Sequence, residues 1–326
     1  MDDESKVVEI VTQSNLTLIV GEGKEKVTFK VIRDALRLAS PIWNVMFDPD
    51  KLYIEGNSNE VCLPKDDTIA METVLQIAHL RFQEVPTTFD SEELFNLAIL
   101  CDKYDNAHLI APFLDKRSFR YFQEQLDEGG GVAVEAALVA WTFGDRATLA
   151  KAMPTLITRT DLSRERPAGQ EGVYDGLLPP ALTDYIKRER DSLFHWLKRE
   201  YQRCTDTLSC DHFLRGCRKD GYSCITAERV SCCMMQLGYI LRCVKYECPG
   251  LEESELRDED MLEDYVQQLL SAAQMSHGIH DGCKPGFLVE TLRNFWVVVP
   301  TGSALPIGNA RHGKACADEM DFEGCE

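Results

Sequence analysis

The sequence predicts an α+β N-terminal domain followed by a mainly α-helical C-terminal region, and three observations carry that prediction. Short β-rich runs set off by glycine and proline are confined to the part of the chain before Pro64. Apolar residues then recur at helical spacing in one segment after another. Gly129-Gly130-Gly131 breaks the chain between the mixed part and the helical part. At 326 residues with 44% hydrophobic content, there is material for roughly two domains of ~150 residues each.

Leu16-Thr17-Leu18-Ile19-Val20 is the first strand, Gly21 and Gly23 supply a turn, and Val27-Thr28-Phe29 returns, making a hairpin. In the next stretch Ile32, Ala35, Leu36 and Ala39 fall on one helical face. Ser40 can accept a hydrogen bond from a free amide, and Pro41 suits a first helical position, so a second short helix runs from Ile42 to Phe47 and stops at Asp48-Pro49-Asp50. Val61-Cys62-Leu63-Pro64 is a further strand, and Thr68 to Phe82 a helix with Ile69, Thr73, Ile77 and Leu80 near one face. Glu92 to Tyr104 is helical through Leu94, Phe95, Leu97, Ala98 and Cys101, with Cys101 as core, and the pattern continues from His108 to Phe119.

These residues resemble the BTB/POZ domain, in the divergent form common in fungal proteins, over residues 12–120. The resemblance is carried by Leu16 to Gly21, by Phe29-Lys30-Val31 leading into Ala35 to Phe47 with Ser40-Pro41, by Val61 to Asp67, and by Leu97 to Tyr104. It departs from the family at Asn15, where an Asp is frequent, and at Ile32-Arg33, where a His is frequent; both family residues help shape a dimer interface. What it implies is a non-enzymatic interaction or adaptor protein, with a protein partner that is a second copy or another chain. Trp43, Met46, Phe47 and Tyr53 are the interaction candidates, with Trp43 equally suited to the core. Family members that hold a cullin scaffold use the region corresponding to Phe47 to Tyr53, so a substrate adaptor of a cullin-type ubiquitin ligase is one alternative. A nuclear transcription or chromatin-associated interaction protein is another, and an enzyme within residues 130–326 a third.

The second region spans 129–299. An Ala-rich helix from Val132 to Phe143 ends at Gly144, and Arg146 to Met153 forms another that Pro154 bends or replaces with a new turn. Residues 161–180 read as a connecting loop. In the next helix Leu182, Tyr185, Ile186, Leu193, Trp196 and Leu197 form an apolar face. Lys187, Arg188, Arg190, Lys198, Arg199 and Arg203 make it the most basic stretch of the chain, and the interspersed acids favour a solvated face over nucleic-acid contact. Leu256 to Ala273 and Phe287 to Val299 are the last helices, and 300–326 a loosely ordered tail.

A net charge of -19 disfavours nucleic acid and anionic membranes as partners. The acidic opening Met1-Asp2-Asp3-Glu4-Ser5 lacks the features of a secretory signal, and no apolar stretch spans a bilayer, so the expected setting is intracellular, nucleus or cytoplasm. Thirteen cysteines, eleven of them from Cys204 onward, then point to metal ligation, reactive thiols or buried packing rather than disulfides. Cys210, His212, Cys217 and Cys224 are the best local quartet for a structural zinc, but their spacing matches no regular zinc-finger pattern, and buried or incidental thiols are the alternative. The Gly21-Glu22-Gly23 turn lacks the full phosphate-loop pattern, so no cofactor-binding residues are assigned. No nucleophile with a base in a recognised context is present either, and no catalytic residues are assigned.

Overall fold

A computed structural model describes residues 6–51, 53–129, 131–161, 166–167, 177–209, 238, 240–248, 251, 262–274 and 292. It shows a mixed α+β N-terminal region with a four-stranded open sheet, followed by a mainly helical stretch. The chain divides between Ala152 and Met153 into two compact units.

In the first unit, β1 (Lys6–Glu9), β2 (Leu16–Val20), β3 (Val27–Val31) and β4 (Glu60–Leu63) form a sheet of order β1-β3-β2-β4. The β2–β3 hairpin is antiparallel as the sequence predicts, with Leu18 opposite Phe29. β4 lies parallel to β2, with Leu18 opposite Val61. Strict alternation puts Leu16, Leu18, Val20, Phe29 and Val31 in the core, while Lys30 on the other face donates to Thr17 Oγ1 at 2.8 Å. Gly21, at φ +79°, makes the turn: a Cβ there would crowd the Glu25 carbonyl at 3.1 Å. β1 was not legible in the sequence. Lys6, Val7 and Glu9 are exposed, so no alternation marks it, and backbone pairing to β3 in parallel holds it.

α1 (Arg33–Ala39) and α2 (Pro41–Met46) meet at Ser40, whose side chain accepts from the Trp43 N–H at 3.0 Å, with Pro41 at the first helical position. α3 (Ile54–Asn57) precedes β4. α4 (Thr68–Ala78) is capped by Asp67, which accepts from the Ala70 N–H at 2.7 Å. α4 ends four residues before Phe82, and its buried side is Ala70, Met71, Val74 and Leu75 together with Thr73 and Ile77. Ile69 and Leu80, expected on the apolar face, are instead exposed. Ile69 lies on the outer side of the first turn. Leu80 lies beyond the helix end at φ +61°, the left-handed position of a closing turn in which Arg81 N–H reaches the Gln76 carbonyl at 2.8 Å.

α5 (Ser91–Tyr104) begins with a reciprocal capping box, Glu93 N–H to Asp90 Oδ1 at 2.9 Å and Asp90 N–H to Glu93 Oε2 at 3.0 Å. Cys101 is buried as expected, and burial pushes its thiol pKa far up. The helix expected from His108 to Phe119 is not continuous. α6 (Ala107–Ile110) gives way to a 3-10 turn at Ala111–Phe113, where Pro112 lacks an amide to donate, and α7 (Arg120–Asp127) forms afterwards. α8 (Ala133–Phe143) is buried on every side except at Glu135 and ends at Gly144 with φ +79°. Its alanines allow close approach to α5.

α9 (Arg146–Arg159) runs through Pro154 rather than ending there. The Pro154 carbonyl accepts from Thr158 Oγ1 at 2.8 Å one turn on. In the expected connecting loop, β5 (Thr160–Asp161) pairs with β6 (Arg166–Pro167). In the second unit α10 (Pro180–Ser209) buries Leu182, Ile186, Leu193, Phe194 and Leu197, and the helix Leu262–Gln274 buries Leu262, Val266 and Leu269. Arg159 pairs with Glu263 through both guanidinium and carboxylate arms. Of the expected last helix, Leu292 alone is described, and the tail from 300 lies outside the described residues.

Candidate functional site

The four interaction candidates divide cleanly. Trp43 and Phe47 are fully buried, Met46 is half-buried and Tyr53 is 54% exposed. As placed, Trp43 and Phe47 serve packing, because a side chain with no accessible surface meets a partner only if the domain opens. Trp43 packs on Tyr104 with ring centroids 4.9 Å apart, and the Arg33 guanidinium lies 5.9 Å from the Phe47 ring.

Segments far apart in the chain are tied together here. Ser40 Oγ donates to the Tyr104 carbonyl. The Tyr104 hydroxyl donates to Asp66 Oδ2 at 2.5 Å, and Lys103 Nζ donates to Asp66 Oδ1 at 2.5 Å. Burial, reinforced by the hydrogen bond to Asp66 and its charge, holds the Tyr104 hydroxyl far above its ordinary pKa, so it remains a donor. Asp66 is buried, and these bonds satisfy a carboxylate that would otherwise be costly there. The turn after β4, the α1–α2 junction and the end of α5 are thus one unit.

The helices joined here also present apolar side chains to solvent. Leu38 is 89% exposed and Ile54 85%, with Ile42, Val45 and Tyr53 also exposed. Arg37 Nε donates to Asn44 Oδ1 at 3.3 Å, holding α1 to α2. Arg33 NH1 reaches the carbonyls of Glu55 at 3.0 Å and Gly56 at 2.8 Å, and its NH2 reaches that of Ser58, holding α1 to α3. Gly56 has to be glycine for this arrangement, because any Cβ would collide with the Asp48 carbonyl. Leu38 lies off the helical face that Ile32, Ala35, Leu36 and Ala39 define in the sequence, whereas no local pattern marks Ile54.

His79 joins the end of α4 to the start of α1. Its Nδ1 lies 2.8 Å from the Leu75 carbonyl, and its Nε2 accepts from the Ile32 N–H at 2.9 Å, which fixes the neutral tautomer protonated at Nδ1. Burial lowers its pKa from the ordinary value of 6.5, against the raising effect of the bond to the Leu75 carbonyl. The unfolded chain therefore binds more protons below pH 6.5, and the stability that neutral His79 contributes is full above that value and lost as pH falls through the lowered one. The urea midpoint is expected to drop between about pH 7.5 and about pH 5.5, with a shallower drop in His79→Gln. An identical pH dependence in the variant would show that His79 does not carry it.

The basic stretch of α10 is not uniformly solvated. Arg190 is buried, because it lies between Ile186 and Phe194 at four-residue spacing and so falls on the apolar stripe. Arg203 pairs with Glu200 at 2.7 Å and Arg188 with Glu189 at 3.6 Å. His195, Lys198, Arg199, Gln202, Arg203 and Asp206 line an open groove along this helix.

Cys210, His212, Cys217 and Cys224 lie outside the described residues, as do His277, His280 and Cys283. Among the described residues no three His, Cys, Asp or Glu side chains converge as a metal ion would need, and no helix is long and apolar enough to cross a membrane. No protein-family model matches the chain, no curated protein matches it, and no solved structure matches it.

Proposed function

We propose that the N-terminal region is a BTB/POZ-like interaction domain and that the protein acts as a non-enzymatic adaptor, holding a protein partner by noncovalent contact. The observation that supports this most is the exposed apolar corner of α1, α2 and α3, where Leu38, Ile42, Val45, Tyr53 and Ile54 are set on a frame fixed by Arg33 and by the Ser40–Tyr104–Asp66 bonds. Exposed apolar residues held on rigid elements suit recognition of another protein better than they suit water. The frame also joins three of the segments that carry the family resemblance, those around Ser40-Pro41, Asp66 and Lys103-Tyr104.

A cullin-type scaffold as the partner is the second reading. It is favoured by the accessibility of Tyr53 and Ile54, at the end of the stretch such a contact would use. A chromatin role through α10 draws less support, since Arg190 is buried and Arg188 and Arg203 face carboxylates.

The test is native mass spectrometry of the reduced full-length chain, alone and mixed with the N-terminal region of a cullin, for wild type and for a Leu38→Asp, Ile54→Asp variant. Both sites are exposed, so the substitutions should leave the fold intact, at a cost within about 0.5 kcal/mol each. A dimer or a cullin complex that the variant loses supports the reading. A wild-type chain that neither self-associates nor takes up cullin, or an assembly indifferent to both substitutions, overturns the surface proposed here.

A further inference from the structure

The turn that closes α4 is anchored at both ends yet presents apolar side chains to solvent. The Leu80 N–H donates to the Ile77 carbonyl at 3.0 Å and the Glu84 N–H to the Arg81 carbonyl at 3.0 Å, while Arg81 NH1 crosses to the Ile10 carbonyl just after β1 at 2.7 Å. His79, directly before Leu80, is tied to the Ile32 N–H, and Val85 is buried a few residues on. Between these anchors Leu80 is 75% exposed and Phe82 52%. A single exposed leucine is ordinary, but this one also occupies the left-handed backbone at φ +61°, where the Cβ crowds the following carbonyl oxygen. Neither burial nor backbone preference accounts for it. A second segment meets this turn. The Phe82 ring lies 6.0 Å from that of Phe113, at the end of the 3-10 turn Ala111–Phe113, and Phe113 is only half-buried, with exposed Pro112 beside it. Lys116 and Arg117 follow within four residues, both exposed. The intervening carboxylate is turned to the backbone, since Asp115 Oδ1 accepts from the Arg117 N–H at 2.7 Å and the Ser118 N–H at 3.2 Å. Among the described residues neither the Lys116 nor the Arg117 side chain forms an ion pair, in a chain whose net charge is -19.

We propose that Leu80, Phe82 and Phe113, with Lys116 and Arg117 next along the chain, form a second docking surface whose occupant is an acidic segment of another protein, one in which apolar side chains are interspersed with carboxylates. Apolar anchors on a turn that is already fixed supply contact area with little ordering cost on binding. The two cations at its edge supply the selection, favouring carboxylates over neutral or basic segments. The overall charge of the chain limits the occupant to something short. An extended polyanion, whether an anionic membrane or a nucleic acid, would also meet the acidic remainder of a surface carrying -19, whereas a short acidic segment feels chiefly the charges within a screening length of it. The surface is built from the end of α4 and the segment after α6, and so does not rest on the role given to Leu38 and Ile54.

The test probes an array of short random peptides with labelled full-length protein. Four forms are compared: wild type, Phe82→Ser, the pair Lys116→Glu with Arg117→Glu, and the pair Leu38→Asp with Ile54→Asp. Peptides retained by wild type are expected to be rich in Asp and Glu interspersed with Leu and Phe. Their affinity should fall by about tenfold or more in the first two variants and stay unchanged in the third. Leu80→Asn guards against loss by unfolding, because asparagine accepts the left-handed backbone better than leucine does. That variant should match or exceed the wild-type urea midpoint while binding the same peptides more weakly. An array that retains nothing, retained peptides without acidic residues, or binding indifferent to Phe82 and to the two cations would overturn the proposal. Binding lost in the Leu38→Asp, Ile54→Asp variant would do so too, by moving the contact to the other surface. Retention on phosphatidylserine vesicles in place of peptides would assign these side chains to a membrane instead, and equally end the proposal.

Discussion

Replacing Trp43 with alanine is expected to lower the stability of the chain by about 3–5 kcal/mol, the usual cost of emptying a large aromatic site in a close-packed core. Trp43 has no accessible surface and lies against the Tyr104 ring at 4.9 Å. It also sits in the first turn of α2, with its N–H held by Ser40, so the cavity would open beside the junction that orients α1 and α2. The measurement is the urea midpoint and slope of wild type, Trp43→Ala and Tyr53→Ala. Tyr53 is another of the interaction candidates from sequence, yet it is 54% exposed, and its replacement should change stability by no more than about 0.5 kcal/mol. A Trp43 variant as stable as the Tyr53 variant would contradict the enclosed position of the indole.

Asp66→Ala is the second large loss, about 2–3 kcal/mol, because it strands groups that are already folded around the carboxylate. The Tyr104 hydroxyl would lose its acceptor inside the protein, where water cannot readily replace it. Lys103 contributes less, since its side chain is 47% exposed and solvent can take over. A double-mutant cycle with Tyr104→Phe isolates the pair and should return a coupling of about 1 kcal/mol or more. Additive losses would show that the two residues stabilise the fold separately. Because the same network frames the exposed corner, a variant that folds without Asp66 should also bind more weakly whatever partner Leu38 and Ile54 contact.

What could be read from the chain alone follows from short-range physics. Alternation at Leu16 to Val20 and Val27 to Val31 identified a hairpin because a period of two has one structural meaning when one face is buried. Ser40-Pro41 identified a helix start because capping involves residues three apart. Gly144 likewise identified the end of α8. The signal failed at β1, which pairs through its backbone, so its side chains carry no pattern, and at Pro154 the sequence left a bend and a new turn both open, of which the helix running through it removes the new turn.

Only the tertiary structure decided which apolar residues are core and which are surface. Ile69 and Ile77 look alike in sequence, both placed near one face of the same helix, but Ile77 is buried and Ile69 faces solvent. Asp66 meets Tyr104 across 38 positions and Ser40 meets it across 64. Composition and local periodicity specify elements, since those energies depend on neighbours in the chain. The side-chain meetings that frame these helices depend on how those elements close on one another, and no nearby residue records that closure.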